Sequence, residues 1–189
     1  MCQIRQGIIP TTAPATTSTP TTSLPELCTE SLDKWQWIPF GSNCYKLVDE
    51  SFEWLITQRI CREDGIGDLV SIHSQEENNF LGQLMEDNGI STIHIGGFVK
   101  SLTDLVNDKW AWSDGTSWNY TRWYPDNPSH YDWNSFYVYL RNTEFGVRWS
   151  NIGDSGSERA FVCKINQLKS SVDRQQGKYV EFETVDVNM

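Results

Sequence analysis

The apolar residues of the chain are concentrated between residues 28 and 165, where they follow two different spacings. Apolar side chains that recur every three or four residues predict helices at 51–65 and 74–89. Short apolar runs predict strands at 43–48, 68–72, 93–98, 109–115, 136–140, 146–150 and 160–165. The pattern therefore predicts an α+β domain in which two helices pack on small, mostly antiparallel sheets.

Local signals mark the ends of both predicted helices. Ser51 can cap the first helix and Gly65 can end it. Its predicted buried face consists of Phe52, Leu55, Ile56 and Ile60. In the second helix Ser74 and Glu77 form a capping box, and Gly89 supplies the stop. The predicted buried stripe of that helix consists of Phe80, Leu81, Leu84 and Met85.

Between residues 113 and 135 the chain is rich in Gly, Pro, Asn, Asp and Ser, which predicts one long loop. Loops of this length without regular structure are usually functional or disordered. The aromatic residues of the stretch RWYPDNPSHYDWNSF, at 122–136, argue against disorder. The candidate chemistry of the domain is therefore expected here.

The two ends of the chain differ from its centre. Residues 10–25 are almost entirely Thr, Pro, Ser and Ala, so residues 1–27 are predicted to form a disordered stalk. This composition is typical of O-glycosylated stalks outside the cell, although a plain linker has it too. Residues 166–189 carry few large apolar side chains and are predicted to form a disordered tail.

Charge and cysteine content limit the classes of protein to which the chain can belong. The net charge of −10 predicts no basic surface for nucleic acid, and the excess of acids is interpreted as an aid to solubility. Four of the five cysteines lie in the folded region, which predicts two disulfides and an oxidising compartment, with three connectivities open. No apolar run approaches the roughly 18 residues that span a bilayer, and no signal peptide is visible. We expect a secreted or extracellular protein.

Six segments, taken in order, resemble the C-type lectin-like domain. They are GSNCYKLV (41–48), CREDGIGDLVSIHSQEENNFL (61–81), IHIGGF (93–98), WAWSDGTSWNYTRW (110–123), RWSN (148–151) and FVCKI (161–165). The resemblance covers residues 28–165 and implies the disulfides Cys28–Cys44 and Cys61–Cys163, as in long-form members. A third bridge of many members is missing, because Trp133 and a residue near Asp154 stand at its two positions.

In sugar-binding members of this family, calcium lies between a Glu-Pro-Asn or Gln-Pro-Asp loop motif and an Asn-Asp pair on a core strand. The resemblance aligns Tyr124, Pro125 and Asp126 with the loop motif, and implies that Pro125 is a cis proline. It aligns Ser150 and Asn151 with the Asn-Asp pair. Calcium takes about six to eight oxygens, and a neutral phenol is a poor ligand. Calcium is therefore possible but disfavoured, with Asp126 and Asn151 as residual metal candidates.

Without a metal, recognition is expected to use side chains of the loop and the neighbouring strand, since aromatic rings can stack on sugars or anchor proteins. The candidate ligand-binding residues are Tyr124, Asp126, Asn127, Tyr131, Trp133, Ser150 and Asn151. The tryptophans expected to pack inward are Trp110, Trp112, Trp123 and Trp149. Asn119 begins an N-glycosylation sequon at one side of the loop.

These features favour an extracellular recognition module that binds a carbohydrate or a cell-surface protein without calcium. One alternative is a calcium-dependent lectin with atypical ligands, and another is a structural or matrix protein on the same fold. An enzyme is not predicted, because His73, His94 and His130 lie in no recognisable nucleophile or metal motif. No nucleic-acid partner and no transmembrane segment are expected, and the sequence specifies no oligomeric state.

Overall fold

The computed structural model describes Cys28 and residues 35–63, 67–130, 135–152 and 158–166. The strands are β1 (Ile38–Phe40), β2 (Asn43–Phe52), β3 (Gly67–Leu69), β4 (Thr92–Phe98), β5 (Ala111–Trp112), β6 (Tyr137–Thr143), β7 (Gly146–Ile152) and β8 (Arg159–Asn166). The helices are α1 (Trp54–Arg62), α2 (Gln75–Asp87) and α3 (Leu102–Val106). The predicted stalk and, apart from residue 166 at the end of β8, the predicted tail lie outside these ranges.

The strands form one eight-stranded sheet in the order β1-β2-β8-β4-β6-β7, with β3 paired to β8 and β5 paired to β4. The α+β prediction is confirmed, but the sheet is mixed, because β4 and β8 run parallel. The short helix α3 was not predicted. Its only local signal is Ser101, whose side chain accepts a hydrogen bond from the Asp104 amide at 3.1 Å, and five residues are too few to display a helical period.

Helix α1 begins later than the sequence predicts. Ser51 and Phe52 belong to the end of β2, so Ser51 does not cap the helix. Glu53 takes the N-cap position without a side-chain hydrogen bond. Phe52 is held in the sheet by its pairing with Arg159, a contact that local sequence signals do not contain. Gly65, the predicted stop, lies outside the described residues.

The buried face of α1 also differs from the prediction. It consists of Trp54, Thr57 and Cys61. Side chains at this spacing share one face of a helix, and Cys61 must face β8 because it is bonded to Cys163. The indole of Trp54 donates to the Ile95 carbonyl at 2.8 Å. Leu55, predicted to be buried, is 51% exposed because it lies on the opposite side.

Helix α2 follows its predicted signals closely. The Ser74 hydroxyl accepts from the Glu77 amide at 3.1 Å. In a capping box the Glu77 carboxylate would accept from the amide of Ser74. Here it accepts instead from the amide of His73, the preceding residue, at 2.8 Å. Gly89, with a φ of 67°, follows the last turn, where glycine tolerates the left-handed conformation. The predicted stripe is buried at Leu81, Leu84 and Met85, and Phe80 is partly buried against the same core.

The structure contains both disulfides that the resemblance implied. Cys28–Cys44 links residues 16 positions apart, and Cys61–Cys163 links residues 102 positions apart. The second bond ties α1 to β8 at the centre of the sheet. Within the described ranges, no helix has the length and apolar character needed to cross a membrane.

A buried polar network joins α2 to the sheet. Glu77 accepts hydrogen bonds from the Lys164 ammonium and from the Tyr45 hydroxyl, both at 2.6 Å. The side chains of Glu77 and Lys164 are only 8% and 10% exposed. Burial, and then the charge of Glu77, raise the pKa of Tyr45 far above its ordinary value. The network is therefore a fixed part of the core, and its polar atoms satisfy one another.

Candidate functional site

A cluster of tryptophans packs between the long loop and the core of the domain. Its members are Trp110, Trp112, Trp118, Trp123 and Trp149. The prediction that Trp110, Trp112 and Trp149 are core residues is confirmed, since all three are buried, and Trp123 packs inward against the same core. Sequence reasoning did not single out Trp118, whose ring centroid lies 4.4 Å from that of Trp112. The tryptophan content thus serves first to build a base for the loop.

The loop adds a short extended segment to the edge of the sheet. The Tyr124 amide donates to the Trp149 carbonyl, and the Trp149 amide donates to the Arg122 carbonyl, each at 2.8 Å. These bonds form a parallel bridge between Trp123 and Trp149 of β7. Because β7 is the last strand in the sheet order, the segment 122–124 covers part of an edge that would otherwise be open.

The next four residues, Tyr124 to Asn127, form a tight turn. The Asn127 amide donates to the Tyr124 carbonyl at 3.0 Å, and Asp126 has a φ of 63°. Proline in the second position and a positive φ in the third are features of a type II turn. The carboxylate of Asp126 is exposed at the tip, and the Asn127 side chain donates to the Pro125 carbonyl at 3.3 Å.

The expectation that Pro125 is the cis proline is wrong. The cis peptide bond of the described residues lies between Asn127 and Pro128. Pro125 instead takes the second position of the turn, where its fixed φ suits a trans bond. The alignment of Tyr124, Pro125 and Asp126 with the family's metal-binding motif therefore does not match the backbone.

Asn151 connects β7 to both sides of the loop. Its Oδ1 accepts from the Ser129 amide at 2.7 Å. Its Nδ2 donates to the carbonyls of Ser129 and Ser135, at 2.8 and 3.3 Å. Asn151 is 8% exposed, and its neighbour Ser150 is 3% exposed with no partner for its hydroxyl. The amide of this residual metal candidate is thus already engaged by the backbone of the loop.

The remaining metal candidate is not part of an acidic cluster. Asp126 lies at the tip of the turn, whereas Asn151 lies buried on β7. Across the described ranges, no three side chains among His, Cys, Asp and Glu lie close enough together to hold a metal ion. The two residual metal candidates, Asp126 and Asn151, together supply one carboxylate, and carboxylates provide much of the affinity for calcium.

Tyr124 is partly enclosed by its own chain. The guanidinium of Arg141 lies 4.0 Å from the centre of its ring. Its hydroxyl donates to Glu144 at 3.3 Å, and the ring of Phe145 lies 6.0 Å away. One face of the ring that the sequence offers for stacking is thus covered by a cation. Sequence reasoning missed Arg141, because nothing in its local sequence connects it to residue 124.

Of the other candidate residues predicted from the sequence, some lie outside the described residues and some lie within them. Tyr131 and Trp133 lie outside them. Asn119 is exposed, and its Oδ1 lies 3.3 Å from Nδ1 of His73. The ring of His73 also contacts the hydroxyls of Ser71 and Thr116, each at 3.1 Å. The sequon therefore lies on the surface beside the tryptophan base.

The protein has an α+β fold with two disulfides, and its long loop rests on a tryptophan base and is held at the sheet edge. This is the architecture of C-type lectin-like binding domains. A profile of the lectin C-type domain matches residues 50–165. The chain belongs to the C-type lectin domain family. It is 32% identical over 129 residues to C-type lectin lectoxin-Lio1 of Erythrolamprus poecilogyrus, a match that covers 68% of this chain and 77% of that protein.

Two solved structures share the fold of this chain. Human lithostathine superposes with a TM-score of 0.64 at 24% identity, over 77% of this chain and 97% of that one. The C-type lectin domain of murine dendritic cell inhibitory receptor 2, in complex with an N-glycan, superposes with a TM-score of 0.60 at 27% identity. That match covers 72% of this chain and 99% of the receptor domain. The protein is therefore a lectin-like binding module.

Proposed function

We propose that this chain is an extracellular recognition module that binds a carbohydrate or protein ligand without calcium. The observation that carries the proposal is the position of the Asn151 amide, which bonds to the loop backbone on both sides. The loop is then held by hydrogen bonds within the chain. It needs no divalent ion to fix its shape.

The chemistry of Asn151 and its partners opposes a cation at this point. A calcium ligand must direct a free lone pair at the ion, but Oδ1 of Asn151 accepts from the Ser129 amide. The carbonyls of Ser129 and Ser135 are potential oxygen ligands, and the Asn151 NH2 group faces both. A bound cation would have to displace donors from at least two of these oxygens, a loss that opposes calcium binding at this point.

The family and the surface both support a recognition role. A homologous domain, that of the murine inhibitory receptor, has been solved with an N-glycan. The loop of this chain offers polar groups on the exposed turn at Asp126 and Asn127. We propose Tyr131 and Trp133, which lie beside that turn in sequence, as the aromatic part of the same surface. Two disulfides are typical of proteins in oxidising compartments outside the cytosol.

A glycan array and a melting curve, each recorded in calcium and in EDTA, test the proposal. We expect ligand binding in EDTA and the same melting temperature in both buffers. A calcium site present at about 100 times its dissociation constant would stabilise the folded state by about 2.7 kcal/mol, which a melting curve detects. Such a shift, together with binding that EDTA abolishes, would make the protein a calcium-dependent lectin instead.

The proposed aromatic surface has its own test. Replacing Tyr131 and Trp133 together by alanine should abolish binding of any array ligand and leave the melting temperature nearly unchanged. The control is Leu55→Ala, which removes a large apolar side chain that is 51% exposed on α1, away from the loop, and should leave binding unchanged. A large loss of stability in the double variant, with binding retained, would make the two residues core residues.

A further inference from the structure

Three arginines lie side by side at the edge of the sheet. Arg141 of β6 and Arg148 of β7 are Cα partners. The parallel bridge between Trp123 and Trp149 brings Arg122 beside Arg148. Successive side chains of a strand alternate between its faces, so Arg141 and Arg148 share one face, and Arg122 follows the same alternation. We call Arg122, Arg141 and Arg148 the arginine row.

Within the part of the chain that the structure describes, no ion pair neutralises the arginine row. Ion pairs between described residues include Arg62–Asp68, His130–Asp108 and Lys164–Glu77, and none of these involves the row. The Nε atoms of Arg122 and Arg141 are shielded from water without an acceptor. Burial, and then the charge of Arg122, lower the pKa of Arg148. Like charges opposite one another in a sheet are destabilising, yet they stand here in a chain of net charge −10.

Two tyrosines and a serine lie beside the arginine row, on the same face of the sheet and two residues along each strand. Tyr139 and Ser150 are Cα partners, two residues along from Arg141 and Arg148. Tyr124 lies under the Arg141 guanidinium, at 4.0 Å. The hydroxyl of Ser150 has no hydrogen-bond partner, although the residue is 3% exposed. Unmet donors and aromatic rings thus occur together at this edge.

We propose that the arginine row binds the anionic group, a sulfate or a carboxylate, of a short acidic saccharide. Guanidinium groups match the geometry of such oxyanions and can donate two parallel hydrogen bonds to one group. An oxyanion bound by the row would offset the repulsion between Arg122 and Arg148, which the bridge between Trp123 and Trp149 places side by side. The negative net charge of the chain opposes long polyanions, so a single acidic sugar suits the row better than an extended polymer. This inference rests on the proposed recognition of a carbohydrate.

Three probes that share one core test the inference by calorimetry in EDTA: lactose, lactose sulfated at the 3′ position, and 3′-sialyllactose. We expect at least one acidic probe to bind about tenfold more tightly than lactose, as one charge-assisted hydrogen bond would give. Its affinity should fall as salt rises, because salt screens exposed charges. The sulfated and sialylated probes distinguish a sulfate from a carboxylate as the recognised group.

Substitutions of single arginines test whether the preference for the acidic probe comes from the arginine row. Arg141→Gln and Arg148→Gln should each weaken binding of the acidic probe roughly tenfold, because each removes one charged donor. Arg59→Gln makes the same change in charge on the exposed surface of α1 and should leave binding unchanged. The melting temperature of Arg148→Gln should change little, since the loss of the hydrogen bond to the Val147 carbonyl is offset by the removal of the repulsion with Arg122. That measurement separates a loss of binding from a loss of folding.

Three results would overturn the inference. The first is equal affinity for lactose and both acidic probes, the second is unchanged binding of the acidic probe in both row variants, and the third is that neither acidic probe binds. If neither acidic probe binds while the array finds a neutral glycan, the arginine row is not the site and the proposed function stands. If the array and a screen of cell-surface proteins both find no ligand, the proposed function fails as well.

Discussion

The substitution Asn151→Asp replaces the amide group that holds the long loop by a carboxylate of nearly the same shape. In the protein, Nδ2 of Asn151 donates to the carbonyls of Ser129 and Ser135, at 2.8 and 3.3 Å. A carboxylate oxygen cannot donate, so both carbonyls lose this donor and face a negative charge. The bond from the Ser129 amide to Oδ1 is retained. The change therefore removes one half of the contact and leaves the other.

The size of the effect follows from these contacts. A buried polar group left without its partner costs about 1–3 kcal/mol, and the longer bond to Ser135 belongs at the low end of that range. The retained bond becomes charge-assisted, which offsets part of the loss. The net loss should be about 2–4 kcal/mol, and in a domain of this size the melting temperature should fall by roughly 10 °C.

Differential scanning calorimetry in EDTA measures this loss. The matched control is Asn142→Asp, which makes the same chemical change at an exposed position of β6 and should alter the free energy of unfolding by less than about 0.5 kcal/mol. Limited proteolysis should cut the loop of Asn151→Asp faster than that of the control. A melting temperature of Asn151→Asp within about 2 °C of the wild type would show that the amide does not hold the loop.

Three further predictions concern stability. Lys164→Met leaves the charge of Glu77 buried without its cation and should cost about 3–5 kcal/mol in urea unfolding, whereas an exposed Lys→Met change should cost far less. Gly82→Ala should destabilise helix α2, although alanine favours helices, because its new methyl group would collide with Val147. Adding Val147→Ala should recover part of that loss, and a merely additive double variant would contradict the explanation. Burial raises the pKa of Tyr45, so the unfolded chain loses this proton first and stability should fall above about pH 10, less steeply in Tyr45→Phe.

The sequence predicts those parts of the fold that depend on neighbouring residues. The Ser74 cap and the Gly89 stop of α2 are local signals, and both are present in the structure. The start of α1 was wrong because pairing with β8 holds Phe52 in a strand, and no nearby residue reports that pairing. Ser51 has the side chain of a helix cap, but tertiary structure decides its conformation.

In the candidate site, too, the sequence predicts the features that depend on local residues but not the contacts between distant ones. The sequence locates the long loop and its tryptophan base, because aromatic and turn residues are concentrated there. It cannot show that Arg122, Arg141 and Arg148 are neighbours. Their adjacency depends on the pairing of β6 with β7 and on a parallel bridge between the loop and an edge strand. Both contacts join residues that are distant in the chain or carry no motif.

The two proposals together predict an unusual response to ions, because they assign the tasks of a bound metal to groups of the chain. If the Asn151 amide holds the loop, removal of divalent ions has no effect on its shape. If the arginine row supplies the positive charge that attracts the ligand, added monovalent salt weakens binding, since screening acts on exposed charges. A metal-centred site would respond in the opposite sense, strongly to a chelator and weakly to moderate salt. A titration of EDTA against one of sodium chloride, with the same acidic probe, therefore separates the two mechanisms in a single experiment.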